Sequence, residues 1–210
     1  MKKFICLLLV IVMTFSFSAC TGGNTTSQVA FTSAQTTYGN LMSAYEKIDA
    51  IGSDIYEAWR IGVYETPSIS KLDEKLNLSY EELNAAAEVL GAGMIAYHNV
   101  GDSVFYLFGD VSKFSICVEL VEEAYKLKGT YEEIDNLLAS AKSEMKAMSE
   151  QYSDYEHYDN LKKMYSIVDS YAEFCKDPTG SFDQLTETIN DYRNDIRDLE
   201  SDLGYIFEDF

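Results

Sequence analysis

The sequence predicts an all-α protein, a multi-helix bundle of about six amphipathic helices with heptad-like seams. Three observations lead there. Apolar residues recur at alternating spacings of three and four along most of the chain, the period of a helix that hides one face. No stretch sustains the two-residue alternation of a half-buried strand. Only two prolines interrupt 210 residues, and hydroxyl-x-x-acid tetrapeptides stand where the periodic stretches begin.

The first predicted helix covers 34–64. Its seam is Tyr38, Leu41, Tyr45, Ile48, Gly52, Ile55, Trp59 and Gly62. Trp59, the one tryptophan, falls on that seam, where a core anchor and a ligand platform are both readable. Gly52 and Gly62 predict that another backbone or a bulky ring comes close to the seam. Residues 65–78 read as a linking loop with a short turn around Leu72–Leu76.

From Leu83 to Val118 one heptad phase runs through Leu90, Met94, Tyr97, Gly101, Val104, Phe108 and Val111. Either a single long helix or two helices satisfy it. Gly91, Gly93 and Gly101 each cost a helix interior about 1 kcal/mol relative to alanine. Two helices, 79–98 and 103–127, are therefore favoured, with a break at Asn99–Asp102 and Asp102 as the new cap. The remaining predicted helices are 131–150, with Ile134, Leu138, Ala141, Met145 and Met148; 154–175, with Leu161, Tyr165, Val168, Ala172 and Cys175; and 181–208, with Leu185, Ile189, Ile196, Leu199 and Leu203.

Helix starts are legible as capping boxes at Ser79-x-x-Glu82, Thr130-x-x-Glu133, Ser153-x-x-Glu156 and Ser181-x-x-Gln184. Each offers a hydroxyl and an acid or amide to backbone N–H groups that the first turn leaves open. Stops are written as Gly129 after Lys126 and Lys128, and as Pro178 and Gly180 after Lys176.

The N-terminus follows a different logic. Lys2 and Lys3 precede a short apolar run, Phe4 to Phe17, and then Ser18-Ala19-Cys20. The run falls short of the roughly 20 residues a membrane span needs, so a cleaved signal at 1–19 is expected. Small residues directly ahead of Cys20 resemble the lipobox of bacterial lipoproteins, with Phe17 in place of the usual aliphatic residue. That resemblance implies a lipid-modified Cys20 as first residue of the mature chain, and an extracytoplasmic domain anchored to the cell membrane. It covers the first 20 residues. The expected division is signal 1–19, lipidated cysteine and flexible tether 20–33, and helical bundle 34–210. A dozen Gly, Thr, Ser and Asn-rich residues would give the tether a reach of roughly 20 Å.

Sixteen basic residues against 35 acidic ones leave a formal charge of −19. Phosphate neutralisation needs clustered Lys and Arg, so nucleic acid is not an expected partner. Of the four cysteines, Cys117 and Cys175 stay within the bundle. An oxidising compartment permits a disulfide between them, and two buried thiols explain them equally well.

Catalytic signals are scarce. His98 and His157 lack the Glu-x-x-His pairing of a di-iron bundle, and neither Cys-x-x-Cys nor a Gly-x-Ser-x-Gly elbow occurs. No cofactor or metal is expected. Glu122 and Lys126 read as a surface i, i+4 pair. One cluster combines aromatic bodies with polar tips: Tyr152, Tyr155, His157 and Tyr158 among Asp154, Glu156 and Asp159. Such a face, or the surroundings of Trp59, suits a sugar or peptide; the same tyrosines also serve as seam. The leading expectation is a non-enzymatic binding, interaction or structural module with a protein or glycan partner at the cell surface. A small-ligand or glycan receptor is the alternative. The oligomeric state is left open.

Overall fold

The computed structural model describes residues 24–65, 67–90, 94–99, 102–107 and 113–207, with side chains for 28–65, 67–90 and 115–207. The all-α expectation holds. Seven described helices pack around one continuous apolar core, and a β-hairpin interrupts them.

Helix α1 (Asn24–Tyr64) is the spine: 41 residues, about 62 Å at 1.5 Å per residue. It borders α2 (Ile69–Lys75), α4 (Lys113–Leu127), α5 (Thr130–Gln151), α6 (Tyr158–Lys176) and α7 (Phe182–Phe207). Its seam is buried as expected, from Tyr38, Leu41 and Ile48 to Ile55, and Trp59 is 5% exposed within the core. Trp59 is thus a packing anchor rather than part of a ligand face.

The first half of α1 forms an up-down-up-down four-helix bundle with α5, α6 and α7. Cross-helix bonds fix the directions. Lys47 meets Glu133 at 2.7 Å and Asn40 meets Ser140 at 3.1 Å, so α5 runs antiparallel to α1. Arg193 reaches Asp49, while Phe207 packs on Phe31 and Tyr38, so α7 is antiparallel too. The second half of α1 is covered by α2, α4 and the loop at Asn77, with α3 (Tyr80–Val89) lying on α4.

Four expectations about the elements need correction. First, the helix starts at Asn24, not 34; Ala30 is already buried and Phe31 packs on Phe207. Most of the expected tether is therefore spine, because Ala30, Phe31 and Ala34 bury apolar surface against the core and order it. Second, the link at 65–78 contains α2, capped by Ser68, whose hydroxyl accepts the Lys71 N–H at 3.2 Å.

Third, the helices expected at 79–98 and 103–127 are shorter. Between α3 and α4 stands a hairpin of β1 (Met94–Asn99) and β2 (Asp102–Leu107), antiparallel, with Ile95 opposite Tyr106 and Asn99 opposite Asp102. The stretch is two short apolar runs, Met94–Tyr97 and Val104–Leu107, around a polar, Gly-containing centre, and is rich in Ile, Val, Tyr and Phe. Such a run satisfies helix spacing by default, and β-branched and aromatic content decides it. The chain leaves helix ahead of Gly91, earlier than the Asn99 break. His98 lies in β1, with its side chain outside the described set.

Fourth, two of the four capping boxes are not made. At Ser79 and Ser181 both reciprocal bonds form. At Thr130, however, the cap is Gly129 with φ 75°, a left-handed conformation that lets α4 turn directly into α5. Residues 152–157 are turns, and α6 starts at Tyr158 rather than at 154.

Candidate functional site

The residues singled out in the sequence scatter through the fold. Cys20 lies outside the described residues. Cys117 and Cys175 are free thiols buried in the core. Burial pushes the Cys117 thiol up to about 12 and raises Cys175 as well, so neither is poised as a thiolate nucleophile.

The tyrosine-rich segment closes one end of the four-helix bundle. His157 sits edge-on to Tyr155 at 5.6 Å and to Phe207 at 6.2 Å, and Phe207 in turn contacts Phe31 at 5.7 Å. Tyr155 and Tyr158 pack on the core, and all four residues of the expected face are half-buried. The rings of Tyr155, His157 and Tyr158 pack the α5–α6 turn onto the core and onto Phe207 of α7. Consecutive turn bonds hold the backbone, Tyr155 N–H to the Tyr152 carbonyl and Tyr158 N–H to that of Tyr155, each at 3.0 Å.

Two polar networks, one buried and one half-buried, were not legible in the sequence. Asp54 on α1 is 1% exposed and accepts four bonds: the Asn77 backbone N–H at 3.0 and 3.1 Å, the Asn77 side-chain amide at 2.9 Å and the Tyr125 hydroxyl at 2.8 Å. Burial raises its pKa against the lowering effect of those donors. Three segments are pinned together there, α1, the α2–α3 link and α4. One turn earlier, Asp49 accepts the Arg193 guanidinium at 2.6 Å and the Tyr171 hydroxyl at 3.1 Å, and Arg193 also donates to Ser53. Both networks are satisfied within the protein and serve register between helices.

An opening to solvent lies apart from these networks. A cleft of about 390 Å³ is lined by Leu90, Glu119, Glu122, Glu123, Lys126, Tyr131 and Lys176. Its lysines are engaged: Lys126 with Glu123 at 3.0 Å, and Lys176 with Asp135 and Glu173, both at 2.9 Å. The expected Glu122–Lys126 pair is therefore replaced by Glu123–Lys126. Glu122 turns toward the cleft instead, and burial, then the carboxylates of Glu119 and Asp177, push it up to about 7. Tyr131 closes the wall by donating to the Cys175 carbonyl at 3.1 Å. A carboxyl that changes charge near neutrality is the most strongly shifted carboxyl among the described residues, and no spacing rule announced it. Among those residues, no group of three or more His, Cys, Asp or Glu could hold a metal ion.

Glu122 sets a pH dependence. Its folded pKa lies above the ordinary 4.5, so the folded state binds the extra proton. Stability therefore falls as pH rises from about 4.5 to about 7 and levels off above. The half-exposed carboxyl limits the effect to about 1 kcal/mol. Glu122→Gln is expected to melt above the parent at pH 8, with the gap closing at pH 5. Parallel melting curves at both values would show that Glu122 is not strained.

No helix among the described residues is long and apolar enough to cross a membrane. Comparisons with family models, with curated proteins and with solved structures return no match for this chain.

Proposed function

We propose that this chain is a lipid-anchored, extracytoplasmic interaction module without catalytic activity, held to the cell membrane through an acylated Cys20. The observation that carries this reading is the placement of α1. The helix begins four residues after the lipobox-type cysteine and continues as the spine against which five other helices pack. An anchor at Cys20 would thus connect almost directly to the core of the domain. Two acyl chains, at roughly 0.8 kcal/mol per buried methylene, suffice for stable attachment. The buried Asp54 and the half-buried Asp49 are used for helix register, which leaves the outer faces of the rod for a protein or glycan partner.

Intact mass of the full chain expressed in a bacterial host fed labelled palmitate tests the anchor. Loss of residues 1–19 with acyl label on the new N-terminus is expected, and Cys20→Ser should release the protein from the membrane fraction. A labelled Cys20→Ser protein, or an unlabelled parent, contradicts it.

The second reading, a small-ligand receptor, is favoured by the Glu122 cleft rather than by the tyrosine segment. Native mass spectrometry of residues 21–210 purified from such a host separates the two. A bare protein mass supports the interaction module; a retained small molecule whose occupancy falls in Glu122→Gln supports the receptor.

A further inference from the structure

Four residues, Cys20 to Gly23, precede α1, and fully extended they reach at most about 14 Å. The end of the rod nearest that cysteine is built from the first turns of α1 and the last turn of α7. Phe207 packs on Phe31 at 5.7 Å and its carbonyl accepts the Gln35 amide at 3.0 Å.

One feature distinguishes that end. No charged residue occurs from Thr21 to Tyr45, although charged residues make up 24% of the chain. Burial explains only part of this, because Gln28, Val29, Thr32, Thr36 and Gly39 are exposed and equally uncharged. Further along α1, Glu46 takes such an exposed position, and Lys47, Glu57 and Arg60 take half-buried ones. Exposed apolar side chains stand at both ends of α1: Val63 and Tyr64 are 44% and 68% exposed at the far end, while here Val29 is 51% exposed and Tyr205, on the last turn of α7, is 80% exposed. The uncharged strip on α1, with its exposed aliphatic residue, suits the headgroup zone of a bilayer; beside it on α7 stands the exposed ring of Tyr205, of the amphipathic kind that collects there, preceded by Asp198, Glu200 and Asp202.

We propose that this end of the bundle rests on the lipid surface, with Val29 and Tyr205 at headgroup level. The rod then projects outward and holds the α2–α3 end and the Glu122 cleft away from the membrane. The inference rests on the acylated Cys20 reading. Glu150, Asp154, Glu156 and Asp159 of the nearby α5–α6 turn are repelled by anionic lipid within about 8 Å at physiological salt. Contact is therefore made on the α1 side and is favoured by zwitterionic headgroups.

Tyr205→Trp in the full acylated chain, reconstituted in phosphatidylcholine vesicles carrying a nitroxide headgroup, tests it. Because Tyr205 is exposed, the substitution leaves the packing untouched. The native Trp59 serves as internal reference, about 45 Å along the spine from Val29. Quenching of at least a third of the variant's emission is expected, against little change in the parent. Replacing a fifth of the lipid by phosphatidylglycerol should reduce the quenching. An acylated variant quenched no more than the parent overturns the inference and leaves the anchor standing. A chain with no acyl mass removes both.

Discussion

Gly52→Ala is expected to destabilise the protein by about 2–3 kcal/mol, the cost of forcing an extra methyl into a packed interior. A Cβ at this position would stand 2.2 Å from the Tyr171 hydroxyl oxygen and 3.0 Å from Cζ of the same ring. Tyr171 has nowhere to retreat. Its side chain is fully buried, its ring is stacked on Tyr192 at 4.8 Å, and its hydroxyl donates to Asp49 at 3.1 Å. For a domain of this size the loss corresponds to a fall of roughly 6–10 °C in Tm. Tyr171→Phe removes the atom at 2.2 Å but leaves ring carbons at 3.0 and 3.3 Å. The double variant should therefore recover part of the loss, and the two changes should be non-additive in chemical denaturation. A Gly52→Ala protein within 0.5 kcal/mol of the parent would mean that α6 does not approach α1 this closely.

Asp54→Ala is expected to cost about 3 kcal/mol for a different reason. The substitution leaves the Tyr125 hydroxyl and two Asn77 donors without their acceptor in a buried place. Stranded donors carry most of the penalty, because their desolvation is no longer offset. Asp54→Asn should fall between, since an amide offers one oxygen where the carboxylate offers two. Hydrogen exchange separates this loss from general destabilisation: protection should drop first in α3 and α4, which the Asp54 network ties to the spine, and later in α5 to α7. Uniform loss across all helices would argue that Asp54 holds no particular joint.

The difference between the two residues shows where the sequence was legible. Gly52 stands on a regular seam otherwise filled with large residues, so a close approach was predictable, although not from which helix. Asp54 sits one position off that seam in an ordinary run, Gly52-Ser53-Asp54-Ile55. Its importance depends on Asn77 and Tyr125, 23 and 71 positions away. Local pattern carries no information about such partners.

Helix class and most helix ends were determined by the sequence itself, because a 3.6-residue period and a capping hydroxyl act within a few residues of each other. The Ser79 and Ser181 boxes, the buried seam of α1 and the stops near Gly129 and Lys176 all belong to that category. Tertiary structure decided what required distant neighbours. Residues 24–33 became helix because α7 lies alongside them. The tyrosines of 152–158 became a closing turn because Phe207 and Phe31 meet there. Two short apolar runs within 94–107 met the heptad rule and still formed a hairpin, since runs that short fit either period. Glu122 was left facing a cleft when Lys126 found Glu123, a choice between two acids on one helix that depends on what lies across from them.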